Sequence, residues 1–249
     1  FKGSEYFRIN PANGWKPDAG YPKPIAGNWP GLDAGFTSNI DAAIWCETNN
    51  KVYLFKGDKY VRLDPNNGWT MEASYPKSIS GNWPGFPADF AAGVDAALWS
   101  KSNNRIYFFK GTEYIRVNPA AGWAVEAGYP KPIADNWHGI PTSYIDPNVP
   151  YQGGAGIDAA LWCDANDKIY FFKKATFWAG SYVRINPANW TVEANYPKPI
   201  GLSVGGTEAL WRDKAQAQLG YSSGNDGVTE LCDALQNGSN SESGYVTYF

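Results

Sequence analysis

Residues 40–45 read IDAAIW, and the same short segment returns as VDAALW at 94–99, IDAALW at 157–162 and GTEALW at 206–211. The spacing is that of a large repeat, because 54 residues separate Asp41 from Asp95 and 63 separate Asp95 from Asp158. A period of this length is typical of propellers and solenoids, in which each repeat is one supersecondary unit packed on its neighbours. We therefore expect one repeated unit to account for the fold.

Two further segments follow the first three copies in a constant order. The first is an aromatic strand, a lysine-containing turn and a second strand, in KVYLFKGDKYVRLDP at 51–65, RIYFFKGTEYIRVNP at 105–119 and KIYFFKKATFWAGSYVRINP at 168–187. The other is a closing segment, GWTMEASYPKSISGNWPG from 68, GWAVEAGYPKPIADNWHG from 122 and the shorter NWTVEANYPKPIG from 189. Apolar residues on both faces of these strands predict sheets packed between two neighbours.

The two ends of the sequence each contain part of one further repeat. Residues 1–31, FKGSEYFRINPANGWKPDAGYPKPIAGNWPG, match the pattern only from the lysine–glycine turn onward. The missing front half is present as GTEALW at 206–211 and GYVTYF at 244–249. We predict that these segments complete the first blade, since closure removes the sheet edge that a linear array would expose. The polar residues 214–243 match no repeat and are expected to form a surface loop.

The repeats predict an all-β, four-bladed propeller in a single domain. The expected boundaries are 206–249 with 1–36 for the first blade, 40–90 for the second, 94–145 for the third and 157–201 for the fourth. Composition agrees with this prediction, because 27 glycines and 18 prolines suit many short strands joined by tight turns.

The DAA-φ-W strand, the lysine–glycine hairpin and the Tyr-Pro-Lys to Trp-Pro-Gly tail together resemble hemopexin-type repeats. The resemblance covers nearly all of the chain except 214–243, and it implies calcium or sodium ions, with chloride as a further candidate, in a central tunnel. Backbone carbonyls would hold the cations, which is reasonable because hard cations prefer oxygen ligands. The implied tunnel residues form two rings, the first Asp41, Asp95, Asp158 and Thr207, the second Ala43, Ala97, Ala160 and Ala209. The residues alone leave an alternative, in which the aspartates only cap the start of each strand by accepting hydrogen bonds from nearby N–H groups.

Most tryptophans recur in every repeat, so we expect them to pack between blades. The exception is Trp178, which lies beside Phe177 in an insertion within a predicted hairpin loop. Together with Tyr144 and Tyr151 of the longer loop before the fourth blade, these two residues are the candidate ligand contacts. Packing of the Trp178 loop on its own blade is the alternative.

Charge and residue types exclude several functions. A formal net charge of −3 gives no basic footprint for nucleic acid, and no apolar run approaches the roughly 18 residues of a membrane span. A single histidine, His138, cannot build a catalytic triad or a zinc cluster, and no two acids pair at a unique position. We therefore expect no enzymatic activity. His138 also cannot supply the two-histidine haem ligation associated with hemopexin, which leaves haem binding through other groups.

The cysteines give little functional information. Cys46 and Cys163 occupy equivalent positions in alternate blades, too far apart for a disulfide bond, which needs Cα atoms roughly 4 to 7 Å apart. Cys232 is free to pair with either one or to stay a thiol. The compartment stays open, with an extracellular or storage compartment preferred.

The sequence thus favours a non-enzymatic binding protein for a carbohydrate, as in a lectin or hemagglutinin, or for a small ligand such as haem. Two alternatives remain, a protein-interaction or toxin-like defence module that acts on a host molecule, and a storage albumin. Neither the ligand nor the oligomeric state follows from the sequence.

Overall fold

The computed structural model describes residues 1–10, 16–146, 148, 155–174 and 180–199. In the first repeat these residues form β1 Glu5–Tyr6, β2 Ile9–Asn10, β3 Lys16–Pro17 and β4 Lys23–Pro24. The second repeat contains β5 Ala42–Cys46, β6 Lys51–Lys56, β7 Lys59–Asp64, β8 Thr70–Met71, β9 Lys77–Ser78 and the one-turn helix α1 Ala88–Ala91. The third contains β10 Ala96–Ser100, β11 Arg105–Lys110, β12 Glu113–Asn118, β13 Ala124–Val125, β14 Lys131–Pro132 and α2 Ile133–Asn136. The fourth contains β15 Ala159–Cys163, β16 Lys168–Lys173, β17 Ser181–Asn186, β18 Thr191–Val192 and β19 Lys198–Pro199.

The second, third and fourth repeats each fold into a five-stranded antiparallel sheet with the same topology. In the second repeat β5, β6 and β7 pair in order, and β8 and β9 both pair with β7. The first repeat supplies two smaller pieces, β1 with β4 and β2 with β3, which correspond to the outer part of such a sheet. The expected inner strands of this blade, at 206–211 and 244–249, lie outside the described residues, as do the 214–243 loop and Cys232.

Successive sheets pack face to face, as the apolar residues on both strand faces predict. Phe55 of the second sheet meets Phe108 of the third edge-to-face, with ring centroids 5.1 Å apart. Phe109 meets Phe171 of the fourth sheet in the same way at 5.0 Å. The described residues thus form three complete blades and the outer part of a fourth, in the order that the repeats predict. None of the described helices is long and apolar enough to cross a membrane.

A repeated polar cluster fastens the outer strands of each blade. In the second blade Glu72 binds both Arg62 and Lys51. The cationic groups of Arg62 and Lys77 lie over the Tyr75 ring, 5.3 and 4.9 Å from its centroid. Burial alone would raise the pKa of Glu72, but hydrogen bonds from Lys51 and Arg62 outweigh it and lower that pKa. The tyrosine of this cluster precedes a cis proline in all four repeats, at Tyr21, Tyr75, Tyr129 and Tyr196.

Candidate functional site

The inner strands β5, β10 and β15 border a common space. Each pairs with one strand of its own sheet, and β10 lies beside both β5 and β15. Because backbone groups of a strand point alternately to its two sides, every second carbonyl of these strands is directed away from its own sheet. Ala43, Ala97 and Ala160, three residues of the implied second ring, line one cavity.

The aspartates of the implied first ring use their side chains locally. Asp41 accepts a hydrogen bond from the backbone N–H of Gly57 at 2.7 Å, and Asp95 accepts one from Gly111 at 2.7 Å. Asp158 accepts the equivalent bond from the Lys174 N–H at 2.9 Å. The carboxylates thus tie the start of the inner strand to the hairpin turn, which is the capping alternative raised by the sequence. Their backbone carbonyls remain available to a tunnel ion, and Thr207 and Ala209 lie outside the described residues.

An ion in this tunnel would depend on backbone oxygens. Among the described residues no three histidine, cysteine, aspartate or glutamate side chains are grouped so that they could hold a metal. The carbonyls along the inner edges of β5, β10 and β15 are the alternative donors, and carbonyl oxygen suits hard cations such as calcium. The residues present therefore fit a cation held by main-chain atoms.

Among the described residues, the cavity lined by these alanines has a volume of about 380 Å³ and a wall rich in aromatic side chains. Its polar lining includes Arg8, Asn28, Glu47 and Asp164. Its aromatic lining includes Tyr6, Trp29, Trp45, Trp69, Trp99 and Trp162. A concave site with an apolar wall and a few polar groups is typical of small-ligand pockets. We refer to it as the aromatic cavity.

Trp69 lies at the boundary between the first and second blades and has an unusual backbone conformation. It follows Gly68, and both residues have left-handed backbones, with φ of 62° and 64°. A left-handed backbone is unfavourable for a residue with a large side chain, so its presence at Trp69 shows that packing fixes this turn. The indole of Trp69 contacts Trp29 at 5.8 Å and Trp45 at 6.0 Å between ring centroids.

The sequence predicts that these tryptophans only pack between blades. In the structure some of them also line the aromatic cavity. The equivalents of Trp29 are core residues, since Trp83 is 3% and Trp137 is 1% exposed. Among the described residues Trp29 is half-buried and lines the cavity. Tyr53 and Tyr107 pack on Trp83 and Trp137, and their counterpart in the first blade is expected in residues 244–249, outside the described part of the chain. The repeat pattern could not reveal this difference, because the residue type is the same in all three blades.

A charged group from three blades lies at the ends of the inner strands. The Nζ atom of Lys101 is 3.2 Å from Oδ1 of Asp164 and 3.7 Å from Oε1 of Glu47. These residues occupy the same repeat position, two residues after the inner-strand tryptophan. The hydrogen bond to Asp164 raises the pKa of Lys101, which stays charged. Sequence reasoning missed this group, although the change of charge at one repeat position was a signal for it.

The remaining candidate residues have varied positions. Tyr144, a candidate ligand contact, is fully buried, and its hydroxyl lies 3.1 Å from Oγ of Ser181, so its side chain packs in the core. Tyr151, Phe177 and Trp178 lie outside the described residues. His138 is exposed and does not line the aromatic cavity.

Cys46 and Cys163 are buried free thiols, in agreement with the prediction that they do not bond to each other, and burial raises the pKa of both.

Comparison with known proteins places the chain among repeat proteins of one type. A family model described as Hemopexin matches residues 1–34, 40–88 and 94–142. Albumin-2 of Lathyrus sativus is 39% identical over 120 residues, which are 47% of this chain and 52% of that protein. Stromelysin-1 of Equus caballus is 35% identical over 117 residues, which are 47% of this chain and 22% of that protein. The chain thus spans about half of the length of the albumin and less of the metalloproteinase.

A solved structure extends the likeness to nearly the whole chain. It is a plant lectin with two metal binding sites from Cicer arietinum, with a TM-score of 0.63 and 21% identity. The match covers 89% of this chain and 92% of that one. At this identity the likeness establishes the fold.

Proposed function

This chain belongs to the hemopexin family, and we propose that it is a non-enzymatic binding protein that holds a carbohydrate in the part of the aromatic cavity that the closing strands of the first blade leave open. The observation that carries the proposal is the composition of the cavity wall, where Trp29, Trp45 and Trp69 lie together with Arg8 and Asn28. A sugar ring has apolar C–H faces and a rim of hydroxyl groups, so its binding site needs flat apolar surface and hydrogen-bonding groups. The name of the Cicer arietinum lectin supports the same ligand class.

The polar residues of the cavity match the hydroxyl groups of a sugar. Glu47 and Asp164 are acceptors for hydroxyl protons, and Arg8 is a donor to hydroxyl oxygens. Lys101 lies within ion-pair distance of both carboxylates, which favours their placement together at the cavity wall. Groups fixed in advance lose less side-chain entropy on binding.

A glycan panel tests the proposal, with binding followed by intrinsic tryptophan fluorescence and confirmed by calorimetry. The informative variant is Trp69→Leu, which removes a flat face from the cavity. Its matched control is Trp123→Leu, because Trp123 has the same backbone conformation and the same repeat position but does not line the cavity. We expect Trp69→Leu to weaken binding of a selected glycan at least about tenfold, which corresponds to about 1.4 kcal/mol, and Trp123→Leu to leave it nearly unchanged.

The same panel separates the other functions. No glycan binding, together with a spectral shift on haem titration, would replace carbohydrate by haem as the ligand. No signal from either ligand would leave the protein-interaction and storage functions. Equal losses of glycan affinity in the Trp69 and Trp123 variants would show that both substitutions act through the stability of the protein. The cavity would then not be the binding site.

We also propose a cation in the tunnel, held by carbonyls of the two rings. The described members are Asp41, Asp95 and Asp158 with Ala43, Ala97 and Ala160, and Thr207 and Ala209 would complete the rings. The alternation of carbonyls along the inner strand edges supports this set, because residues two apart in a strand point to the same side. Metal analysis of dialysed protein and melting curves with and without a chelator test it. Retained calcium and a lower melting temperature in chelator are expected, whereas no retained cation of any kind, sodium included, would contradict the proposal.

A further inference from the structure

The turn between β17 and β18 in the fourth blade is one residue shorter than its counterparts in the second and third blades. It runs from Asn186 to Trp190, and the Trp190 N–H donates to the Asn186 carbonyl at 2.8 Å. The turn of the third blade runs from Asn118 to Trp123 and is closed by the same bond at 3.1 Å. The residue before the tryptophan is a left-handed glycine in the two longer turns, whereas in the shorter turn it is Asn189, without a left-handed backbone. The shorter turn therefore accepts a residue with a side chain at this position.

This shortening creates a modification motif in the fourth blade. Residues 189–191 read Asn-Trp-Thr, which is the Asn-x-Thr acceptor of N-linked glycans. The second blade has the same residue types in Asn-Gly-Trp-Thr at 67–70, but the extra glycine moves the threonine one position too far along the chain. The sequence contains one other such motif, Asn-Gly-Ser at 237–239, which lies outside the described residues.

The turn presents Asn189 at the surface. Asn189 is exposed, as are Ala188 beside it and His138 across the blade boundary. The same position is exposed in the third blade, at Gly122, which has described blades on both sides. Exposure is thus a property of this turn in a complete blade, and an N-linked glycan is a bulky group that requires a surface position.

Contacts with the third blade hold the rest of the motif in place. The indole of Trp190 packs on Trp137 with ring centroids 5.1 Å apart, and the Trp190 carbonyl accepts a hydrogen bond from the N–H of His138 at 3.2 Å. The N–H of Thr191 donates to Oδ1 of Asn189 at 3.2 Å. The side-chain oxygen of Asn189 is therefore directed back at the turn, and Nδ2, the atom that carries an N-linked glycan, lies on the other side of the amide group.

We propose that Asn189 is an N-glycosylation site of the chain when it enters the secretory pathway. The donor is a lipid-linked oligosaccharide diphosphate. A bond forms between Nδ2 of Asn189 and the anomeric carbon of the first sugar, and the bond from that carbon to the diphosphate oxygen breaks. The lipid diphosphate leaves with the electron pair, and the proton lost by Nδ2 passes to a base of the transferase. Asn189 does not line the aromatic cavity, so this inference is independent of the proposed function.

The test uses the full chain, secreted from insect cells behind a signal peptide. A glycosidase that releases the glycan and converts the modified asparagine to aspartate marks each site for peptide mass spectrometry. We expect Asn189 to be converted in most chains and Asn67, in the longer turn, to stay unmodified. Thr191→Ala should abolish the modification and Thr191→Ser should keep it, because the motif needs a hydroxyl group at its third position. The third blade has Ala124 at the position of Thr191, so alanine is compatible with this strand.

Two results would overturn the proposal in the mapping experiment. One is an unmodified Asn189 in the secreted protein, whether or not Asn237 carries a glycan, and the other is a modification that persists in Thr191→Ala. Thermal unfolding tests the surface position separately, with Asn189→Asp as the unglycosylated control because it keeps the oxygen that accepts from Thr191. We expect the glycosylated protein and this variant to melt at nearly the same temperature. A clearly lower melting temperature of the glycosylated protein would contradict the surface position on which the proposal depends.

Discussion

The indole of Trp29 meets that of Trp69 edge-to-face, with ring centroids 5.8 Å apart and ring planes at 85°. The same contact recurs at the next two blade boundaries, as Trp83 with Trp123 at 5.7 Å and Trp137 with Trp190 at 5.1 Å. In those two places one tryptophan is fully enclosed, whereas the Trp29–Trp69 pair lines the aromatic cavity. A packing contact required by every blade boundary is therefore also the candidate ligand surface at one of them.

The loss in free energy of unfolding on truncating each tryptophan should depend on how far its side chain is buried. We expect Trp137→Ala to lower the free energy of unfolding by about 3 to 5 kcal/mol, because a buried tryptophan leaves a large cavity when it is truncated. Trp29→Ala should cost less, because its indole is half-buried among the described residues. Urea unfolding measures both values. Equal losses would show that Trp29 is as much a core residue as Trp137.

The sequence predicts the repeated framework well because packing imposes it in every copy. The IDAAIW segment and its copies identify the inner strands, and the described segments are β5 Ala42–Cys46, β10 Ala96–Ser100 and β15 Ala159–Cys163. The placement of hairpins and closing strands follows in the same way, since a turn or a proline recurs at the same position. Periodicity is a signal that selection for packing leaves in the sequence.

The site is harder to predict because it depends on where the copies differ. Tyr144 lies in a unique loop and was a candidate ligand contact; its ring is buried and its hydroxyl lies 3.1 Å from Oγ of Ser181. Arg8 carries no local signal, since arginine occupies this position in all four repeats and only its partner, Asp18, is shorter. The cavity arises from contacts between blades, which a one-dimensional repeat does not describe.

Low pH should remove the contribution of the glutamate clusters to the free energy of unfolding. Burial alone would raise the pKa of Glu126, but hydrogen bonds from Arg105 and Arg116 lower it below its ordinary value of 4.5. A carboxyl group whose pKa is lowered by folding stabilises the protein above its unfolded pKa, and this contribution is lost as pH falls through the folded pKa. Glu126→Gln should therefore be less stable than wild type at pH 7, and the difference should shrink below pH 4.5.

Chemical unfolding at several pH values measures this effect. The control is Glu113→Gln, which removes the same charge from an exposed position in the same sheet. A Glu126 difference that stays constant from pH 7 to pH 3 would show that the glutamate acts by packing and not by its charge.

Closure of the first blade by residues 206–211 and 244–249 is our proposal for the rest of the chain, based on the repeat pattern. Deletion of 244–249 should then lower the free energy of unfolding by several kcal/mol, since it removes most of a strand with apolar residues. Shortening the polar segment 214–243 by eight residues should change it by less than about 1 kcal/mol, because loop entropy depends weakly on length. Similar effects of the two deletions, measured by thermal and urea unfolding, would contradict the closure.

A crystal structure of the protein with a glycan selected from the panel decides whether the aromatic cavity is a carbohydrate site. We expect a sugar ring against the indole faces of Trp29 and Trp69, with its hydroxyl groups at Glu47 or Asp164. A glycan bound at any other surface, with Trp29 and Trp69 making no contact with it, would rule out the cavity as the binding site.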